Sequence, residues 1–284
     1  MNESPRRHSD PVRFILHPTD FSAESELAFA HALRLAVTNR GHLSLLHVEE
    51  ESEVAWERFP AVRQTLERWG LIDVNARRSD IADIGLGVEK LVIHDDDVAH
   101  AIEKRAAHRS VDLLVLATHN RRGLSTWLKP SVAQQAARQS SLPTLFVPAQ
   151  GHGCVSMQDG RVTMNHVLVP VDHSPRSDDA IERGLRAIEA YGTADSRLTL
   201  LHVGSEGTFP DVEIPPGNWK VERVEKSGEP ASVILDAAKQ GEVNLIIMVT
   251  EGTHGFLDML RGSTTERVLH QSPCPVLAVP ADHI

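Results

Sequence analysis

The chain has 284 residues, 41% of them hydrophobic and 24% charged, with a formal net charge of -10, which suits two ordinary domains, each able to bury a sizeable core. The acidic balance excludes a surface dominated by Lys and Arg, and with it the expectation of nucleic-acid or anionic-membrane binding. Two cysteines, Cys154 and Cys274, exclude a disulfide framework or a zinc ribbon. The start, MNESPRRHSDPV, has no apolar run behind its arginines, and no segment is long and apolar enough to span a bilayer. The expectation is a soluble, cytoplasmic protein.

The first apolar run, RFILHPTDFS (residues 13–22), reads as a strand ending in Pro-x-Asp-x-Ser. ESELAFAHALRLAVT follows with Leu27, Ala30, Ala32, Leu35 and Ala36 toward one side at helical spacing, and Ser22 stands ahead of it as the N-cap. LSLLHVEE reads as a second strand, and AWERFPAVRQTLERWGLI (residues 55–72) as a helix. In HDDDVAH (residues 94–100) the acidic residues favour the positive dipole end of a starting helix over a metal loop. VDLLVLATHNRRGLSTWLKPS and SSLPTLFVPA complete this half. Near-continuous apolar strands such as LLVLA require a sheet covered on both faces.

The pattern then repeats. HVLVPVDHS (residues 166–174) matches the first strand, LTLLHVGS the second, VNLIIMVTEGTHGFLDMLRGS the block beginning VDLLVLA, and SPCPVLAVPA the block SSLPTLFVPA. Four blocks in one order predict two copies of one domain, over 11–149 and 165–284. Between them QGHGCVSMQDGRVTM is polar and aperiodic, as a linker is. Each copy is α/β, a doubly wound and mainly parallel sheet with its ligand crevice at the carboxyl ends of the strands. The copies differ in one place: TFPDVEIPPGNW in the second carries prolines that forbid the helix expected in the first.

These blocks resemble the universal stress protein family. The matching residues are Pro170-Val171-Asp172, Leu201-His202-Val203, the Gly252-x-x-Gly255 turn, Gly262-Ser263 ahead of a helix, and Pro275-Val276-Leu277. The resemblance covers nearly the whole chain and implies a tandem member. It implies a five-stranded sheet of the adenine nucleotide alpha hydrolase-like kind in each copy, and pairing of the copies through their last strands within one molecule, with a homodimer as a further possibility. In the branch that binds ATP, the aspartate after the first strand meets adenosine and the glycine turn meets the phosphates. Carried over, that implicates Asp172, Val203, Gly252, Gly255, Gly262, Ser263 and Thr264, with Mg²⁺ as companion if the nucleotide is ATP. One departure is that residues 256–261, six in number, form a shorter spacer than that branch usually has.

Read without the resemblance, Gly252 and Gly255 permit either a phosphate cradle at a helix start or a plain tight turn with Ser263 or Thr264 as an N-cap. No Walker lysine and no GxGxxG is present. The first copy has Asn120 and Pro130 where the second has Gly255 and Gly262, and Arg121, Arg122 and Lys129 read as a solvated basic turn. It is expected to be the degenerate, structural partner.

His17, His47, His94 and His119 fall near strand ends, where a zinc site or a pH sensor is conceivable and backbone-bonded histidines are the plainer reading. Cys274 is expected to be structural. No nucleophile elbow or triad is arranged by the sequence, and no catalytic or metal-ligating residue is named. The expected function is stress-response binding or regulation, with an adenine nucleotide in the second copy. The alternatives are a nucleotide-free interaction scaffold and, behind it, a slow ATP-hydrolysing enzyme with Arg261 as its nearby cation.

Overall fold

A computed structural model of the chain describes residues 12–49, 56–108, 111–118, 142–174, 178–191, 195–250 and 264–281. In chain order its first half runs β1 (Phe14–Pro18), α1 (Ala23–Thr38), β2 (His42–Glu49), α2 (Val62–Arg68), α3 (Arg78–Asp83), β3 (Gly87–His94), α4 (Val98–His108), β4 (Leu113–Thr118) and β5 (Thr144–Pro148). The second runs β6 (His166–Val171), α5 (Asp178–Ile188), β7 (Arg197–Val203), β8 (Lys220–Lys226), α6 (Pro230–Gln240), β9 (Leu245–Thr250), α7 (Thr264–Gln271) and β10 (Val276–Pro280). All ten strands form one sheet in the order β3-β2-β1-β4-β5-β10-β9-β6-β7-β8. Every pairing is parallel except β5 with β10, where Phe146, Leu145 and Thr144 lie opposite Val276, Leu277 and Ala278. The apolar last strands therefore lie at the centre of the sheet rather than at an edge.

The repeated sequence blocks make the same local device twice. The Asp112 carboxylate accepts the Arg13 and Phe14 N–H groups, each at 2.8 Å, and ties β1 to the start of β4. Asn244 Oδ1 accepts from Asn165 and His166 at 2.8 and 3.0 Å, and ties β6 to β9. At the outer edge, β8 reads KVERVEK and is almost wholly exposed; its alternating charges oppose pairing with another chain.

Helix α1 begins as the sequence predicts, with the Ser22 side chain accepting the Ser25 N–H. It is buried more widely than one amphipathic stripe requires: Phe29, His31 and Leu33 are covered as well as Ala32 and Leu35. His31 is covered by the segment between the halves, whose Val155 N–H bonds its Nε2 and whose Gly153 lies against its ring. That segment is packed, with a Val155–Val162 bridge, a hydrogen bond from Trp69 Nε1 to the Met157 carbonyl at 3.3 Å, and a His152 Nε2 contact to the Val243 carbonyl at 3.1 Å.

The single helix expected over residues 55–72 is broken. A 3-10 turn occupies Trp56–Arg58 and α2 starts only at Val62, because Pro60 has no N–H to give and its ring obstructs the preceding turn. Between β7 and β8 no helix is present among the described residues, so the second half lacks the counterpart of both α2 and α3.

Candidate functional site

Strand β6 has β7 on one side and β9 on the other, so chain connections leave it in opposite directions. Such a switch point opens a crevice at the carboxyl ends of the strands. Here the crevice has a volume of about 180 Å³ and its walls include Asp172 just after β6, Val203 at the end of β7, and Thr264 at the start of α7. Leu201, Ile234 and Met248 supply its apolar surface. Three residues expected from the sequence thus come together from three separate segments. Gly252, Gly255, Gly262 and Ser263 lie outside the described residues.

Each position has a local cause. Asp172 is exposed, with Oδ1 accepting the His173 N–H at 2.8 Å. Thr264 and Thr265 open α7 toward the crevice, and the first turn of a helix presents unpaired N–H groups and the positive end of its dipole. The opposite wall begins with Pro230 at the start of α6. There Glu229 caps the helix, accepting from the N–H groups of Ala231 and Ser232 at 3.2 and 3.0 Å and from the Ser232 hydroxyl at 2.7 Å. Arg267 of α7 reaches across to the same carboxylate at 2.7 Å. The Ser232 hydroxyl and N–H, joined by Arg267 and the Ala231 N–H, hold the Glu229 carboxyl down to about 2. This clamp was not expected from the sequence; the signal for it is a glutamate before Pro-Ala-Ser, the residue that starts and caps α6.

The corresponding aspartate of the first half is differently employed. Asp20 Oδ1 accepts both the N–H and the hydroxyl of Ser22, the residue that caps α1. Asn120, Pro130 and Ser131 lie outside the described residues.

The strand-end histidines do not converge. His17 is buried in β1, its Nδ1 on the Val115 carbonyl at 3.0 Å and Nε2 at 3.4 Å from the Ser25 hydroxyl. Burial pulls its pKa down to about 4, so it is neutral across pH 5 to 8. His47 Nδ1 donates to the Thr19 carbonyl at 2.8 Å, and its repeat partner His202 does the same to Val171 at 3.1 Å. His94 is exposed at the end of β3, and His119 lies outside the described residues. Among the described residues no three His, Cys, Asp or Glu side chains are grouped as a metal site. Both cysteines are buried and free, and burial pushes each thiol up to about 12, which leaves them unreactive.

A second repeated cluster escaped the sequence reading. His47 stacks on Phe21 at 4.1 Å, with Phe59 against Phe21 and Lys90 5.6 Å above Phe59. In the other half His202 meets His173 and Phe209, with Arg223 6.0 Å from Phe209. Phe21 adopts φ 62 to make its stack, an uncommon conformation for a bulky residue.

Comparison with known proteins agrees with this architecture. A sequence profile of the universal stress protein family matches residues 12–148 and 213–280. A universal stress protein of Mycolicibacterium smegmatis is 26% identical over 93% of this chain and 96% of its own length. One from Mycobacterium tuberculosis is 23% identical over 91% and 94%. The crystal structure of a universal stress protein from Archaeoglobus fulgidus superimposes with a TM-score of 0.60 at 20% identity, over 94% of this chain and 97% of that one.

Proposed function

Since this chain belongs to the universal stress protein family, we propose that it is a stress-response binding protein whose second half takes an adenine nucleotide. The observation that carries the reading is the meeting of Asp172, Val203 and Thr264 around one crevice at the switch point of the sheet. The adenosine portion would lie between Asp172 and Val203, over Leu201 and Met248. The phosphates would lie toward the start of α7, where backbone donors and the helix dipole favour an anion. At about 180 Å³ the enclosed space falls below the ~300 Å³ of the smaller common ligand sites, so it suits the base and sugar with the phosphates outside it. If the nucleotide is ATP, Mg²⁺ accompanies it on the phosphates.

The rival reading is a nucleotide-free scaffold, favoured by the engagement of Asp20 Oδ1 with Ser22, the residue that caps α1, and by the small crevice. A catalytic role is not proposed. The two halves meet through β5 and β10, so the reading needs no second copy. The compartment proposed is the cytoplasm, in keeping with two buried, unpaired thiols. The deciding experiment is to purify the chain without added nucleotide, denature it and identify what is released, with calorimetric ATP titration alongside. Adenine nucleotide lost on Asp172→Ala and Gly252→Val supports binding. An empty protein with no calorimetric signal supports the scaffold.

A further inference from the structure

The first half holds a larger hollow than the crevice just described, and in a different place. It is a groove of about 790 Å³ between α2, α3 and the beginning of β3, within the ~300–1,000 Å³ of small-molecule sites. Val62, Ile81, Leu86 and Val88 make it apolar, and Arg63 and Lys90 border it. Among the described residues no Asp or Glu lines it, although the chain as a whole carries -10. At one end the His42 ring lies across Gly87, so close that a Cβ there would sit 2.4 Å from Nδ1.

The adjacent carboxylate does not face Lys90. Glu89 and Lys90 are successive residues of β3 and therefore point to opposite faces. Glu89 is held by Arg105 and by the Ser44 hydroxyl at 3.3 Å, and at the His42 end of the groove it lies 3.8 Å from His42 Nε2, on the face opposite Lys90. Lys90 rests over the Phe59 ring, 5.6 Å from its centroid, and partial burial lowers its pKa. The groove is built from the helices that the second half lacks, so it is not a copy of the switch-point crevice.

We propose that this groove binds an amphipathic carboxylate, a free aliphatic acid whose chain lies along Val62, Ile81, Leu86 and Val88 and whose carboxylate pairs with Arg63 and Lys90. An inorganic anion would leave the apolar wall uncovered, and a neutral alkane would leave the cations unpaired.

The test uses the full chain and sodium dodecanoate below its micelle concentration, measured by calorimetry. Dodecanol, dodecyltrimethylammonium and phosphatidylglycerol vesicles serve as parallel probes. Dodecanoate is expected to bind one per chain, and the double variant Arg63→Gln, Lys90→Gln to weaken it at least about tenfold. Ala82→Trp, at an exposed groove position, fills the hollow and is expected to abolish binding with an unchanged urea midpoint. Arg63, Ala82 and Lys90 are all exposed, so these variants keep the core intact. Binding of dodecyltrimethylammonium as tight as dodecanoate, dodecanoate binding that survives Ala82→Trp, capture by vesicles in place of the free acid, or no binding at all would each overturn the proposal.

Discussion

His31 Nε2 accepts the backbone N–H of Val155 at 3.3 Å, while its Nδ1–H donates to the Leu27 carbonyl at 2.8 Å. One imidazole in the middle of α1 thereby fastens the segment that joins the two halves, and the Tyr191 hydroxyl of the second half reaches the His31 carbonyl at 3.4 Å. The arrangement needs the neutral ring, and burial lowers the pKa to about 4 from 6.5. An unfolded chain takes up this proton below 6.5 and the folded one only near 4, so the stabilisation is complete above pH 6.5 and lost as pH falls to about 4. A shift of this size is worth roughly 3 kcal/mol. His17, shifted in the same direction, adds to the slope. Urea midpoints are expected to fall from pH 7.5 to 4.5. His31→Leu should cost about 1–3 kcal/mol at pH 7.5 by orphaning the Val155 N–H, and less at pH 4.5. An equal cost at both values would show that this ring does not carry the linkage.

Glu229 responds in a lower range. Its depressed carboxyl stabilises the fold above the ordinary carboxylate pKa of 4.5, and that contribution is lost as pH falls toward about 2. Thermal unfolding of Glu229→Gln compared with the parent chain should show a gap at pH 6 that closes between pH 4.5 and 2.5. The carboxylate is exposed, so salt should narrow the gap as well.

Gly184 lies in α5 where the helix presses on the sheet. A Cβ there would sit 2.8 Å from Ile247 Cγ2 and 3.3 Å from Val279 Cγ2, both on fully buried, stiff side chains. Alanine raises helix propensity by about 1 kcal/mol, but overpacking costs about 1–3 kcal/mol. Gly184→Ala is therefore expected to destabilise by about 1 kcal/mol in urea titration, where an exposed helical glycine would gain.

Asp172→Ala separates binding from folding. The residue is exposed and its recorded bond is to the next backbone N–H, so stability should stay within about 0.5 kcal/mol. Under the nucleotide reading, affinity should fall at least about tenfold by calorimetry. Unchanged affinity would remove Asp172 from the site.

What was legible in the sequence is what depends on neighbours along the chain. The repeat appears in Asp112 and Asn244 as well as in the strand blocks, and Ser22 announces its cap because capping is local. The prolines of residues 208–219 excluded a helix for a reason confined to their own rings. Pro60 obeys the same rule, yet the helical periodicity on both sides of it outweighed the break. The burial of His31 in α1 and the packing of residues 150–164 were not legible, since both depend on segments 88 to 124 residues apart in the chain meeting in space. The crevice was visible through Asp172, whereas the Glu229–Arg267 clamp needed the two helices to be brought side by side.

The antiparallel seam between β5 and β10 gives the molecule two working rims that face away from each other. Going from β1 to β6 crosses five inter-strand steps, roughly 24 Å at ~4.8 Å each. A bulky visitor at one rim leaves the opposite rim uncovered. The carboxyl ends of the two sets of parallel strands thus open on opposite flanks of one continuous slab of sheet.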